Sequence, residues 1–356
     1  MSRGLRPFVH VDPATFEQIG TDQRVKINLT ISVPQTAVRG RVEGTLRLFR
    51  RPGFGKKQMT IAIPILLARP LPVVIDIEPT SPVVTIAEPA NGATVPEDSV
   101  LVRGTVNAGG GEVGVSVNGV PAFITDTEWA AQIPLVVGSN AISATATTAT
   151  GAQATTTITV EVTQPQEALV ALTASPVSGL APLTVRFQVE SGLDRSIIRY
   201  EFDQNGDGRA DLTSATFENV EVTYRDAGII TPTLTVVDDQ GGTVTATTII
   251  QVLDQADTIA LFQAKWEALK AALAAREIPR ATAEFAFGVR PRFEQVFQAL
   301  DANLPSIAST LGTIAITRVT EGLAEGVTQR VQGGKTFLYF IYWAPDVDGI
   351  WRIIEM

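Results

Sequence analysis

The stretch of this sequence with the clearest chemical potential is the acidic segment from Asp203 to Asp211. Side-chain oxygens recur at its positions 1, 3, 5 and 9, and Gly208 stands at position 6, where a sharp turn is needed. A hard cation such as Ca²⁺ takes about six to eight oxygens, and this spacing wraps them around one point. The predicted ligands are the side chains of four residues and the carbonyl of a fifth: Asp203, Asn205, Asp207, Asp211 and Arg209.

Two interpretations of this segment remain open. An EF-hand has a bidentate Glu at position 12, whereas Ser214 stands there, so the segment is a calcium-loop-like turn and not an EF-hand. A site lacking that ligand would bind Ca²⁺ weakly, in the extracellular range, and would stiffen the loop. The alternative is an Asx-rich β-turn that holds no metal.

Catalytic chemistry finds little support in the composition. The chain has no cysteine and one histidine, His10, which excludes thiolate nucleophiles, cysteine-based zinc sites and two-histidine metal sites. Acid–base candidates remain near the C-terminus, at Glu284, Asp301, Tyr339 and Tyr342. Neighbouring strand residues face opposite sides, so only one of the two tyrosines can point into a shared pocket. The sequence therefore predicts a protein that is not an enzyme.

Charge is spread unevenly along the 356 residues, whose net charge is −9. Residues 1–80 carry +6, residues 81–253 carry −13 and residues 254–356 carry −2. An acidic middle would repel phosphates, so we expect no nucleic-acid partner. The basic loop of residues 50–57 is either a solvated hairpin loop or a patch for an anionic partner. Its predicted binding residues are Arg50, Arg51, Lys56 and Lys57.

No membrane-targeting or membrane-spanning segment is apparent in the sequence. Residues 1–7 contain no apolar core of a signal peptide, and the most apolar run, residues 61–68, is too short to cross a bilayer. Either the chain is cytoplasmic, or its natural N-terminus lies upstream, or it is one segment of a longer polypeptide. The modules described next favour the last two.

Four segments are separated by composition and periodicity. Residues 1–80 contain period-two runs such as Val25–Val33 and are predicted to form a small basic β-sandwich-like domain. Pro-containing linkers lie at residues 78–82 and 163–167. Two Pro-containing linkers between separate sandwiches predict an elongated chain with few contacts across them.

Residues 83–162 show short strands with turn signals at intervals typical of a β-sandwich. Asn118-Gly119 predicts a two-residue type I′ hairpin turn. The runs Val84–Gly92, Val115–Gly119 and Ile133–Ile142 resemble bacterial immunoglobulin-like domains of the glucodextranase B-like kind. Trp129 is expected in the core rather than as a sugar-binding platform.

Residues 168–253 contain four characteristic runs: Ala174–Phe187, Ile198–Asp203, Val222–Gly228 and Thr233–Gly242. In these runs the segment resembles a polycystic-kidney-disease (PKD) repeat, although Phe202 stands in the region where the family usually has Trp. It implies a spacer or interaction domain of surface and secreted proteins.

Residues 254–356 change to a helical period. Ile259, Phe262, Trp266, Leu269 and Leu273 share one helix face. A second helix is predicted from Pro279 and a third over Arg292–Leu304. Four strands follow, over Thr313–Val319, Gly322–Val331, Thr336–Trp343 and Ile350–Ile354. Three helices on a curved antiparallel sheet resemble the nuclear-transport-factor-two-like cone.

Together these patterns predict a mainly β, multidomain fold in which tandem Ig-like sandwiches precede a C-terminal α+β domain. The function that fits is a non-enzymatic spacer and interaction protein, secreted or at a cell surface, whose partner is a neighbouring protein copy or an anionic glycan surface. Two alternatives stay open. One is a self-assembling filament or appendage subunit, and the other is the accessory ligand-binding region of a secreted enzyme.

Overall fold

The computed structural model describes residues 81–109, 111–166, 170–332 and 334–356, together with six strands of residues 1–80. Those six strands pair antiparallel as β1 with β2, β3 with β6 and β4 with β5. Their bounds are β1 Val9–Asp12, β2 Asn28–Ile31, β3 Gly40–Leu46, β4 Phe49–Arg50, β5 Ile65–Leu66 and β6 Leu71–Ile77. By its contacts the chain divides into one unit of residues 1–80 with 109–111, and a second of residues 81–108 with 112–356.

The first module of the second unit, residues 81–166, is a two-sheet sandwich. One sheet has the order β11-β10-β14-β15-β8 and the other β12-β13-β9-β7. The strands are β7 Val83–Glu88, β8 Thr94–Glu97, β9 Ser99–Asn107, β10 Val113–Val117, β11 Val120–Pro121, β12 Phe123–Thr125, β13 Glu128–Pro134, β14 Gly138–Thr148 and β15 Gln153–Gln166. Alternate residues of the facing sheets, among them Val102, Val115 and Ile142, fill the core.

Two sequence predictions in this module are confirmed. Asn118 and Gly119 both have positive φ, +50° and +84°, as a type I′ turn requires. Trp129 is 1% exposed and belongs to the core. Its ring lies so close to Gly104 that a Cβ built there would be 2.5 Å from the ring, so Trp129 cannot offer a face to a sugar.

The second module, residues 170–253, is also built of β-strands. Its strands are β16 Val170–Ser175, β17 Ser178–Leu180, β18 Leu183–Ser191, β19 Ile197–Asp203, β20 Leu212–Ser214, β21 Val220–Tyr224, β22 Gly228–Ile230, β23 Thr233–Asp238, β24 Thr243–Thr247 and β25 Ile250–Leu253. Sheets β16-β18-β21 and β20-β19-β23-β24 enclose a separate core. Three tilted or edge-on aromatic rings, Phe187, Phe202 and Phe217, lie at its centre.

The C-terminal domain, residues 254–356, packs helices on one face of an antiparallel sheet. Its elements are α1 Gln255–Ala274, α2 Ile278–Ala283, α3 Arg290–Leu300, α4 Leu304–Thr310, β26 Ile314–Thr320, β27 Leu323–Gln332, β28 Lys335–Pro345 and β29 Trp351–Glu355. Asp254 caps α1 by accepting a hydrogen bond from the amide of Asp257. Phe262, Trp266 and Leu273 are buried on the helix face that the sequence predicted.

The helix predicted over Arg292–Leu304 ends earlier, at Leu300, and a 3₁₀ turn covers Asp301–Asn303. A fourth helix that the sequence did not predict, α4, then begins with Pro305 in its first turn. Pro305 has no N–H to donate and its ring would clash with the carbonyl of residue 301 in a continuous helix, so the chain restarts there.

The second module and the C-terminal domain share one seven-stranded sheet, in the order β22-β25-β17-β26-β27-β28-β29. The junction is the antiparallel pairing of Gly179 with Thr320, reinforced by the amide of Glu321, which donates to the carbonyl of Ser178. The expectation of few contacts across the linker at residues 163–167 is wrong, because Gln251 of the second module donates to the carbonyl of Ile124 and Lys265 of α1 pairs with Glu112. Contacts between groups this far apart in sequence are not revealed by periodicity.

Candidate functional site

The acidic loop connects the end of β19 to β20, and Asp203 organises it. One carboxylate oxygen of Asp203, Oδ1, accepts hydrogen bonds from the amides of Asn205, Gly206 and Asp207, and Oδ2 accepts from the amide of Gly208 at 2.7 Å. Asp203 is 8% exposed, so these bonds satisfy a charge that would otherwise be costly to bury. The loop folds around this one carboxylate.

The remaining predicted ligands also bond within the loop. Asn205 Oδ1 accepts from the amide of Asp207 at 2.8 Å, Asp207 Oδ1 from that of Arg209 at 2.9 Å, and Asp211 Oδ2 from that of Gln204 at 2.9 Å. Among the described residues, no group of three or more Asp, Glu or His side chains is arranged to hold a metal ion. This geometry is that of successive Asx turns, and Ca²⁺ binding stays a prediction.

Tyr224 clamps the loop from the neighbouring sheet. Its hydroxyl donates a hydrogen bond of 2.7 Å to the carbonyl of Gln204. Burial and the charges of Asp211 and Asp203 raise the pKa of Tyr224 far above its usual range, so the hydroxyl remains a donor. Sequence reasoning missed this role, although a Tyr that closes a strand and bonds a distant backbone carbonyl is a known device of β-sandwiches.

The predicted anion-binding residues are located only in part. Arg50 is the last residue of β4, and Arg51, Lys56 and Lys57 lie outside the described residues. The basic patch therefore stays a prediction.

A buried ion pair joins the first module to the C-terminal domain. Lys265 Nζ of α1 lies 2.5 Å from Glu112 Oε2 and 3.7 Å from Glu284 Oε2. The side chains of Lys265 and Glu112 are only 10% and 9% exposed. Glu112 Oε1 also accepts from the amide of Trp351 at 2.8 Å. Sequence reasoning could not find this contact, because Lys265 and Trp351 follow Glu112 by 153 and 239 residues.

The loop between β28 and β29 provides a second part of this junction. Arg352 donates two hydrogen bonds to Asp348, of 2.6 and 2.7 Å, and its guanidinium lies 4.5 Å from the ring centre of Phe287. The backbone of this loop passes so close to Gly114 of β10 that a Cβ there would lie 2.2 Å from the carbonyl oxygen of Asp348. Only glycine permits this approach.

The first and second modules are joined by hydrogen bonds as well. Gln251 Nε2 donates to the carbonyl of Ile124 at 2.7 Å, and Gln251 Oε1 accepts from the hydroxyl of Ser178 at 2.9 Å. Arg103 donates to the hydroxyl of Thr231. An open cleft of about 230 Å³ lies beside Arg103 and Thr231, with Glu88 and Glu128 on its walls.

The four acid–base candidates are not brought together. Asp301 is paired with Arg276 at the surface, Glu284 lies at the buried ion pair, and Tyr342 is hydrogen-bonded to Glu325. Ile341 and Trp343 face the helices, which puts Tyr339 on the same side of β28 and Tyr342 on the other. The space between helices and sheet is filled by Phe262, Trp266, Phe285 and Trp343.

Among the described residues, no helix combines the length and apolar character that crossing a membrane requires.

Comparison with known proteins identifies the first module. The family model for glucodextranase domain B matches residues 82–164, so this segment is an Ig-like β domain. No curated protein matches the sequence. Over the described residues the fold is mostly β, with Ig-like sandwiches followed by a small helical C-terminal region, as the sequence predicted.

Solved structures align only loosely. The fibronectin(III)-like modules of Clostridium thermocellum CbhA are 19% identical, covering 49% of this chain and 96% of theirs, with a TM-score of 0.20. Dimeric latent PorU from Porphyromonas gingivalis is 12% identical, covering 64% of this chain and 25% of its own, with a TM-score of 0.28. Domains 1–5 of protocadherin Gamma B2 are 14% identical, covering 71% and 51%, with a TM-score of 0.22. At these TM-scores the alignments do not establish a shared overall arrangement.

Proposed function

We propose that residues 81–356 form a non-catalytic, rigid multidomain segment that acts as a spacer and interaction arm of a secreted or cell-surface protein. An arm of this kind must hold its modules in a fixed relation so that a binding surface is presented in one orientation. The Ig-like β domain at residues 82–164 supplies a module type suited to that role. The resemblance of residues 168–253 to a PKD repeat supports the same assignment.

The observation that carries the proposal is the buried contact of Glu112 with Lys265 and Trp351. A carboxylate and an ammonium that are both about nine-tenths buried must stay paired, because separating them would leave two uncompensated buried charges. Breaking such a pair typically costs about 3–5 kcal/mol when one partner is removed. The pair therefore resists hinge motion between the first module and the C-terminal domain.

A distance measurement between spin labels tests the rigidity. The chain has no cysteine, so Ser139→Cys and Ser306→Cys, both at exposed positions, place one label on the first module and one on the C-terminal domain. We expect a single narrow distance distribution. Glu112→Gln should broaden it, whereas the matched control Glu161→Gln, at an exposed position of β15, should not. A broad distance distribution in the double-cysteine protein that retains Glu112 would refute a rigid arm.

Location is tested on intact cells of the source organism. An antibody raised against residues 81–356 should detect the protein in the medium or on cells before lysis, and external protease should remove the signal. Detection only after lysis would refute a secreted or surface location without bearing on rigidity.

A further inference from the structure

The far end of the β27–β28 hairpin carries four consecutive exposed apolar side chains. Phe337, Leu338, Tyr339 and Phe340 are 44%, 58%, 47% and 46% exposed. Neighbouring strand residues point to opposite faces, so this part of β28 exposes apolar side chains on both faces of the hairpin. Ile341, the next residue, is 1% exposed. The apolar residues of β28 thus extend beyond the part of the strand that the rest of the domain covers.

The same stretch also has a free edge. β27 pairs with β28 from Lys335 to Trp343, but β29 pairs with β28 only from Tyr342 to Pro345. Within the part of the chain that the structure describes, no strand pairs with Lys335–Ile341 on the side away from β27. Backbone N–H and C=O groups of alternate residues therefore point outward from an apolar strand. Such an edge is a template for pairing with another strand.

We propose that a second copy of this chain occupies this edge, with β28 pairing antiparallel to β28 of its partner about a two-fold axis. Charge supports this orientation. Lys335 lies at one end of the free stretch, and exposed Glu355 lies beside its other end, opposite Tyr342. Antiparallel pairing brings Lys335 of each copy towards the partner's Glu355, whereas parallel pairing would put two lysines side by side. A two-fold interface uses the same surface on both copies.

The apolar area sets the expected strength. A fully buried aromatic side chain covers about 150–250 Å². Four large side chains that are roughly half exposed therefore offer about 400 Å² per copy, against about 800 Å² per partner in a standard interface. Backbone pairing and the flanking side chains of β27 add to this area. We expect a dimer that dissociates at micromolar concentrations.

The tip of the hairpin favours a protein partner over a lipid surface. Exposed Lys335 begins β28 ahead of the four apolar side chains and exposed Arg330 lies opposite Phe337, so charged residues would enter a bilayer before or together with the apolar ones. A segment that inserts into lipid leads with its apolar residues. The apolar side chains here stand further back, along the paired strand.

Sedimentation velocity on the full chain tests the dimer at concentrations from about 1 to 100 µM, which span a dissociation constant of micromolar order. We expect the mass to rise from 37.9 kDa towards twice that value. Leu338→Lys should weaken dimerisation by about tenfold or more, because it places like charges close together across the pair. Ile198→Lys, at a position that is 51% exposed on another strand, is the matched control and should dimerise normally.

Amide hydrogen exchange over Lys335–Ile341 provides a second measurement. Protection should rise with concentration in the unmutated chain and in Ile198→Lys, but not in Leu338→Lys. A monomer at every concentration, or a dimer unaffected by Leu338→Lys, would overturn the inference. So would protection that does not change with concentration, which would assign the edge to another segment of the same chain. A monomer that sediments with vesicles of anionic phospholipid would assign it to a lipid surface instead.

Discussion

The carboxylates of Asp203 and Glu284 are both shielded from solvent, but different groups surround them. Asp203 accepts backbone amide bonds on both oxygens, which compensates its charge with fixed dipoles. Glu284 instead lies 3.7 Å from Lys265, whose closer partner is Glu112. Burial raises the pKa of Glu284, the attraction of Lys265 opposes that shift, and the charge of Glu112 adds to it. Backbone amides therefore surround Asp203, whereas Glu284 shares a single lysine with a second carboxylate.

At Asp203 and its loop, we predict Ca²⁺ binding with a dissociation constant of about 10⁻⁴ to 10⁻³ M, the range of extracellular modules. Titration calorimetry with millimolar Ca²⁺ should use the full chain, because the second module shares a sheet with the C-terminal domain. Asp207→Ala should abolish the heat, since it removes an oxygen at the loop's exposed side, while Asp226→Ala, outside the loop, should not. No heat in the unmutated chain would leave the Asx-turn interpretation standing.

For Glu284, the raised folded-state pKa predicts a stability that depends on pH. Its contribution is fully present below the unfolded pKa, about 4.3 for Glu, and is lost as the pH rises through the higher folded value. Glu284→Gln is neutral at every pH, so it should melt at a higher temperature than the unmutated chain at pH 8 and at an equal temperature near pH 4. Scanning calorimetry at both values, with exposed Glu294→Gln as control, measures this difference. A variant that is less stable at pH 8 would show that the attraction of Lys265 outweighs burial.

At the scale of elements, periodicity was enough to locate α1 and the four strands β26–β29, because apolar residues recur at the helical period in α1 and alternate with polar residues over at least part of the strands. The Asn-Gly dipeptide was enough to predict the turn at Asn118-Gly119, because a type I′ turn needs positive φ at both positions. The break before α4 could have been predicted from Pro305, whose effect on a helix is local. The pairing of Gly179 with Thr320 could not, because it depends on two strand edges 141 residues apart in sequence. The acidic loop shows another limit, since the same oxygen spacing serves a metal or backbone amides.

Strand β10 and the β28–β29 loop make the closest approach between modules, and Gly114→Ala should disrupt it. The added Cβ would lie 2.2 to 2.6 Å from backbone atoms of Asp348, Gly349 and Ile350, which cannot rotate away. Overpacking of this kind typically costs about 1–3 kcal/mol. Urea denaturation should detect the loss. Gly228→Ala meets no atom within 4 Å and should change stability little, so equal effects of the two substitutions would contradict a specific contact.

At the scale of the whole molecule, two surfaces could mediate association, and they rest on different forces. The edge of β28 is apolar, and burial of apolar area is little affected by moderate salt and is strengthened by sulfate. The basic segment would act through charge, either on the acidic residues 81–253 of a neighbouring copy or on an anionic glycan surface. Both surfaces are compatible with an interaction arm. A filament would instead need a head-to-tail contact between different surfaces of successive copies, which adds copies without closing a ring.

Salt therefore separates the two surfaces. Seven basic residues lie between Arg39 and Lys57 with Glu43 as the one acid among them, so an anionic partner would relieve their repulsion. If this segment mediates association, binding should weaken steeply from low salt to about 0.5 M, where screening acts within about 5 Å. Replacing Arg50, Arg51, Lys56 and Lys57 with Ser should weaken it equally without lowering the melting temperature, whereas Arg292→Ser with Arg318→Ser should not. Association that responds to neither salt nor these substitutions, but is lost in Leu338→Lys, would mean that the basic segment is a solvated face and that copies meet through β28.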